Sequence, residues 1–166
     1  GLAILGPLMA LNEIPDPVLV EQFLQIFGTL SALNARDALP KANPDQMQQL
    51  QALMLPLAEN ANDFEAMEPH WRALLGALGD IADNLVVRLI GNDLKAQIVG
   101  QMTDIGISPK LKKSVSAELV SNLRIAFESK DGELAAAAIS THFDHLRAAV
   151  TEAINIKRSE IKKQAG

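Results

Sequence analysis

Apolar residues recur at helical spacing along almost the whole chain. Between Pro17 and about Leu39 the stripe Val20, Phe23, Phe27, Leu30 repeats every three or four residues, which places all four on one helix face. A second stripe, Phe64, Met67, Trp71, Leu74, Leu78, begins after Asn62 or Asp63, and a third runs through Leu85, Val87, Ile90, Leu94 and Ile98. The breaks between stripes carry the residues that start and stop helices. Asp16-Pro17 and Asn43-Pro44 each put a capping side chain before a proline at the first helical position. Asn84 is placed to cap the helix after the loop Gly79–Asn84, and Ser108-Pro109 repeats the cap-and-proline device. A last helix opens in "KDGE" (130–133) and runs almost to the C-terminus.

Together with a leading helix over residues 1–12, this punctuation predicts about seven helices. Their short connections favour antiparallel neighbours, so the expected fold is an all-α antiparallel bundle. Composition agrees. Ala and Leu dominate, with Gln and Glu frequent, whereas Val, Thr and aromatic residues are too sparse for a sheet. The 166 residues fit one domain spanning 1–166. The chain lacks a leading Met, so it is expected to have been cut from something longer.

Charge and cysteine content narrow the chemistry. With a formal charge of −5, the chain lacks the clustered cations that grip phosphates, and the basic run "IKRSEIKK" reads as a solvated helix end that complements the macrodipole. No apolar run reaches the roughly 18 residues of a membrane span. The absence of cysteine excludes disulfides, thiolate catalysis and zinc–sulfur sites, and is compatible with a cytoplasmic protein. Three residues before His70, His142 and His145 stand Met67, Ile139 and His142, so no Glu-x-x-His pair exists for a di-iron bundle. Phosphate loops, nucleophile elbows and His-Glu-x-x-His are missing too, so no enzyme is expected.

Two features invite a binding role. "MEPHWRALLGALGD" sets His70, Trp71 and Arg72 together in an apolar helix, and Trp71 and Met67 stand mid-stripe, where core packing and ligand contact are equally compatible. His142 and His145 share a helix face with Ala135, Ala138 and Ala149. They are either boundary imidazoles bonded to water, beside a closely approaching helix, or contacts to a ligand.

The order of motifs resembles the C-terminal effector-binding domain of the GntR superfamily, FadR branch, over nearly the whole chain. "GLAILGPLMAL" is similar to the segment leading out of the family's winged DNA-binding domain. "HWRALLGALGDIADN" is similar to the family's Phe-His-Arg-Ala-Leu-x-x-Ala-Ser-Gly-Asn element, with a short insertion before Asn84. In "LVSNLRIAFESKDGELAAAAISTH", Leu123, Ala126, Phe127, Asp131, Ala135, Ile139 and His142 fall in matching places.

Many members of that family hold a divalent metal through an Asp and three His. Carried over, these positions fall on Met67, Trp71, Val120 and His142, and only His142 can ligate. Taking His70 as a ligand instead moves the carboxylate position to Ala66. The resemblance therefore implies a sensor with no metal and no cofactor, its pocket centre apolar and suited to an acyl-CoA or another apolar-tailed effector. The family's arginine aligns near Phe27 or Gly28, so Lys95 or Arg88 would supply cationic charge, and Ser31 and Asn34 neutral hydrogen bonds. The implied protein is a homodimer that reaches DNA only through the absent winged domain. A helical protein–protein interaction module with a solid interior is the alternative.

Overall fold

The structure, a computed structural model, describes residues 16–105 and 107–165. These form six helices: α1 (Pro17–Lys41), α2 (Pro44–Glu59), α3 (Phe64–Ala82), α4 (Leu85–Ile105), α5 (Lys113–Ser129) and α6 (Gly132–Ala165). No strand occurs among the described residues, so the protein is all-α. The helix expected over residues 1–12 lies outside them. Among the described residues no helix is long and apolar enough to cross a membrane.

Most helix starts follow from their capping chemistry. The Asp16 carboxylate accepts from the Val18 N–H at 2.9 Å, with Pro17 contributing no donor. Asn43 and Gln46 form a reciprocal capping box, each side chain accepting from the other's backbone N–H. Asn84 accepts from the Val87 N–H at 3.1 Å, and Asp131 from the Leu134 N–H at 3.0 Å.

Two boundaries differ from expectation. Gly79 to Ala82 belongs to α3 rather than to a loop, because Leu78, Ile81 and Ala82 continue the buried face. The turn shrinks to Asp83, left-handed at φ 53°, and Asn84. Ser108-Pro109 does not start a helix; α5 begins at Lys113, and no side chain caps it. Ile107, Pro109 and Leu111 turn inward at every second residue instead, the period of an extended chain. The Ser108 hydroxyl donates to Glu65 Oε1 at 3.0 Å, tying this segment to the start of α3.

The central pair is α1 on α6, running antiparallel. Gly132 at the start of α6 abuts the Arg36 carbonyl, Gly28 faces Phe143, and Arg147 pairs with Glu21 at 3.2 Å. Small residues make this approach possible: the buried face of α1 is Val20, Phe23, Leu24, Gly28, Ser31, Ala32, Ala35, Ala38 and Leu39. Phe27 and Leu30, expected in the core, sit only half-buried at its edge. Helix α3 packs on α1 and α2, α5 on α2 and α6, and α4 on α1. Between them Leu50, Leu57, Leu74, Leu78, Leu123, Phe127 and Ile139 lose all or nearly all contact with solvent, each worth about 1.5–3 kcal/mol. Two lysines tie the helix ends together. Lys41 donates to the Ala82 carbonyl at 2.5 Å, and Lys130 to the Ala42 carbonyl at 2.7 Å.

Candidate functional site

The structure divides the residues singled out from the sequence into two groups. Ser31, Asn34 and Lys95 meet at one cleft of about 200 Å³ formed by α1, α3 and α4. Helical spacing on α1 explains the first two, which stand three apart and project beside Phe27 and Leu30. Three glycines, Gly76 and Gly79 of α3 and Gly91 of α4, keep the cleft open by lacking side chains. Gly79 also gives Asn34 its place, since the amide nitrogen lies 3.3 Å from where a β-carbon would stand.

Polar groups ring this cleft. Asn84 and Asn92 add amides, and Arg88 and Lys95 bring positive charge. Arg88 is partly engaged already, 3.5 Å from Asp83 and 3.7 Å from Asp80. Lys95 makes no ion pair among the described residues. Burial lowers its pKa from the ordinary value, and the nearby Arg72 guanidinium lowers it further; Glu68 pulls the other way. Glu68 itself is committed to Arg72 through two hydrogen bonds, at 2.5 and 3.1 Å. Among the described residues the carboxylate that favours the charged Lys95, Glu68, is thus shared with Arg72.

Met67, Trp71, Val120 and His142 lie apart from the cleft, sealed in the core. Trp71 meets the His142 ring edge-on, with centroids 5.1 Å apart at 65°. Phe143 lies 6.1 Å from Trp71 and 5.7 Å from Phe27, so a chain of aromatic rings connects His142 to the cleft wall. His142 is 2% exposed, and among the described residues neither ring nitrogen has a hydrogen-bond partner. Desolvation, followed by repulsion from His145, lowers its pKa to about 4, so the ring is neutral at pH 7. The sequence left these imidazoles as either boundary groups or ligand contacts; the structure places His142 deep in the core and leaves His145 exposed. The difference is rotational, because three residues on a helix advance about 300° and His145 falls off the buried stripe. His70 is half-buried on α3.

Sequence reasoning missed the glycine floor and Asn92. It took Asn84 only as a cap, although that residue serves both places. A glycine in a helix interior is the one signal that pointed here, since it marks close approach or open space. Among the described residues no three metal-ligating side chains converge. The larger hollow, about 990 Å³, is an open trough along the outer face of α6 near Thr151, Asn155 and Ser159. No family model matches the chain, and no match was found among curated proteins or solved structures.

Proposed function

We propose that this domain is a ligand sensor, of the kind that serves as the effector-binding half of a GntR-superfamily, FadR-type transcription regulator, and that it is not an enzyme. The convergence of Ser31, Asn34 and Lys95 on one cleft supports this reading, since residues far apart in sequence supply hydrogen-bonding groups and a cation around a single hollow. A sensor works by binding one arrangement of the bundle better than another. Here the lever is α4, which carries Lys95 and Arg88 and is held to the body through α1.

The size of the cleft bears on the effector. Its roughly 200 Å³ falls below the ~300–1,000 Å³ of sites for drug-sized ligands. It suits a small anion, with Lys95 as counter-charge and Asn34, Ser31 and Asn84 as hydrogen-bonding partners. An acyl-CoA or other apolar-tailed effector is the alternative, and its tail would have to part Trp71 and Met67 from their neighbours. Thermal unfolding of the dimer or monomer as purified, with small mono- and dicarboxylates, an acyl-CoA chain-length series and free CoA, separates the two. A small carboxylate is expected to raise Tm, and Lys95→Gln to abolish the rise. Stabilisation that grows with acyl length favours the tail-binding alternative. No shift with any compound, or an equal shift in K95Q, overturns the sensor reading.

A second reading, an interaction module, draws on a different observation. Leu85, Val86 and Leu89 form an apolar ridge on the outer side of α4, each more than 60% exposed. If this ridge holds two chains together, Leu89→Glu will convert a dimer to a monomer in sedimentation velocity. Unchanged sedimentation would remove the ridge from any such interface.

A further inference from the structure

We propose that His142 is a proton-operated latch: with the imidazole neutral α6 lies closed against Trp71 of α3, and a proton on the ring opens the core at that point. This goes beyond ligand sensing and does not depend on it, because His142 lies outside the cleft.

The geometry makes a protonated ring intolerable in the closed arrangement. His142 stands in the middle of the buried stripe of α6, between Ile139, 0% exposed, and Leu146, 7% exposed. Its ring meets the Trp71 ring edge-to-face, and neither nitrogen finds an acceptor or donor among the described residues. A neutral imidazole there leaves one N–H and one lone pair unsatisfied, a tolerable cost. An imidazolium would place two unpaired donors and a full charge in the same apolar layer.

Among the described residues nothing nearby offsets that charge. Helices α1 and α5 pack on α6, and α3 touches it through Trp71. Of the titratable groups on these four helices, only His145 acts on His142, and it repels a proton. Three ion pairs of the same helices lie at the surface, Glu21 with Arg147, Arg36 with Glu133 and Glu68 with Arg72. The pKa of about 4 follows from this setting. The ring therefore takes its proton in mild acid only by reaching water, and water is reached only when α6 and α3 part. Trp71, the sole tryptophan of the chain, stands against the moving part and reports the event.

The test is acrylamide quenching of Trp71 fluorescence in the intact protein as pH falls from 6.5 to about 4. One proton is taken up on opening, so the open population is expected to rise about tenfold per pH unit across this window. His142→Gln and His142→Phe should remove that one-proton steepness, and His145→Gln should keep it. Equal steepness in wild type and both His142 variants overturns the latch, as does a Trp71 that stays shielded down to the end of the window. Should neither variant fold, the imidazole proton resonance of His142 in the wild-type protein decides. It must shift at the pH where Trp71 becomes accessible; exposure of Trp71 while His142 is still neutral overturns the proposal.

Discussion

Gly28 and Gly76 both stand inside helices, and the structure assigns them opposite consequences. A β-carbon on Gly28 would come within 2.8 Å of Phe143 Cβ and Cγ, at the root of that side chain, where no rotation relieves the clash. Gly28→Ala is therefore expected to destabilise the protein by about 1–3 kcal/mol, as overpacking does. Gly76 meets nothing within 4 Å. Gly76→Ala should stabilise by about 0.5–1 kcal/mol, because it removes backbone freedom from the unfolded chain without a contact cost. Paired thermal melts check both signs; a gain at Gly28 or a loss at Gly76 contradicts the packing described. The sequence pattern pointed to Phe27 rather than to its neighbour. Large apolar side chains are what a hydrophobic stripe weighs, whereas helix α6 selects the face of α1 on which it can come nearest.

Caps set where most elements begin, and they are the most local feature of the fold. Asn43 and Gln46 satisfy each other's backbone donors at the start of α2. Asn43→Ala should cost about 1 kcal/mol, read as a lower urea midpoint at unchanged slope. This start, and those of α1 and α4, were legible because a cap and the proline or apolar run behind it lie within a few residues. The segment Ile107–Leu111 was not. Its cap-and-proline signal is as good as that of Asn43-Pro44, but Ile107 and Leu111 pack against the core and Ser108 is held by Glu65, 43 residues away. Tertiary anchoring overrode a local preference worth little by comparison. The C-terminus of α3 went the other way: about one further turn, with Ile81 and Ala82 buried, outlasts the glycine that suggested an end.

At the scale of the molecule, one buried imidazole gives the whole fold a pH dependence. In the unfolded chain His142 returns to its ordinary value of 6.5, against about 4 in the folded protein. The unfolded state thus binds more protons between these values, so stability is complete above pH 6.5 and is lost as pH falls toward 4. The difference corresponds to about 3 kcal/mol. Urea unfolding at a series of pH values should find that loss in the wild-type protein and a smaller one in His142→Phe. Equal losses would assign the acid sensitivity to other groups. The aromatic chain from His142 through Trp71 and Phe143 reaches Phe27, which lines the cleft.

The sequence by itself determined that the protein is helical and where most helices begin, because periodicity and capping act over a few residues and need no partner. It also offered Ser31, Asn34, Lys95, Trp71 and His142 as candidate binding residues, from chemical type and from the family resemblance. Only the tertiary structure decided which of them stand together. Ser31, Asn34 and Lys95 share a cleft, whereas Met67, Trp71, Val120 and His142 are enclosed in the core. That division depends on how far each helix is rotated about its axis and how closely its neighbour approaches. Both are fixed by small residues such as Gly28 and Gly79, whose influence lies in what they leave empty and so leaves little trace in a hydrophobic pattern.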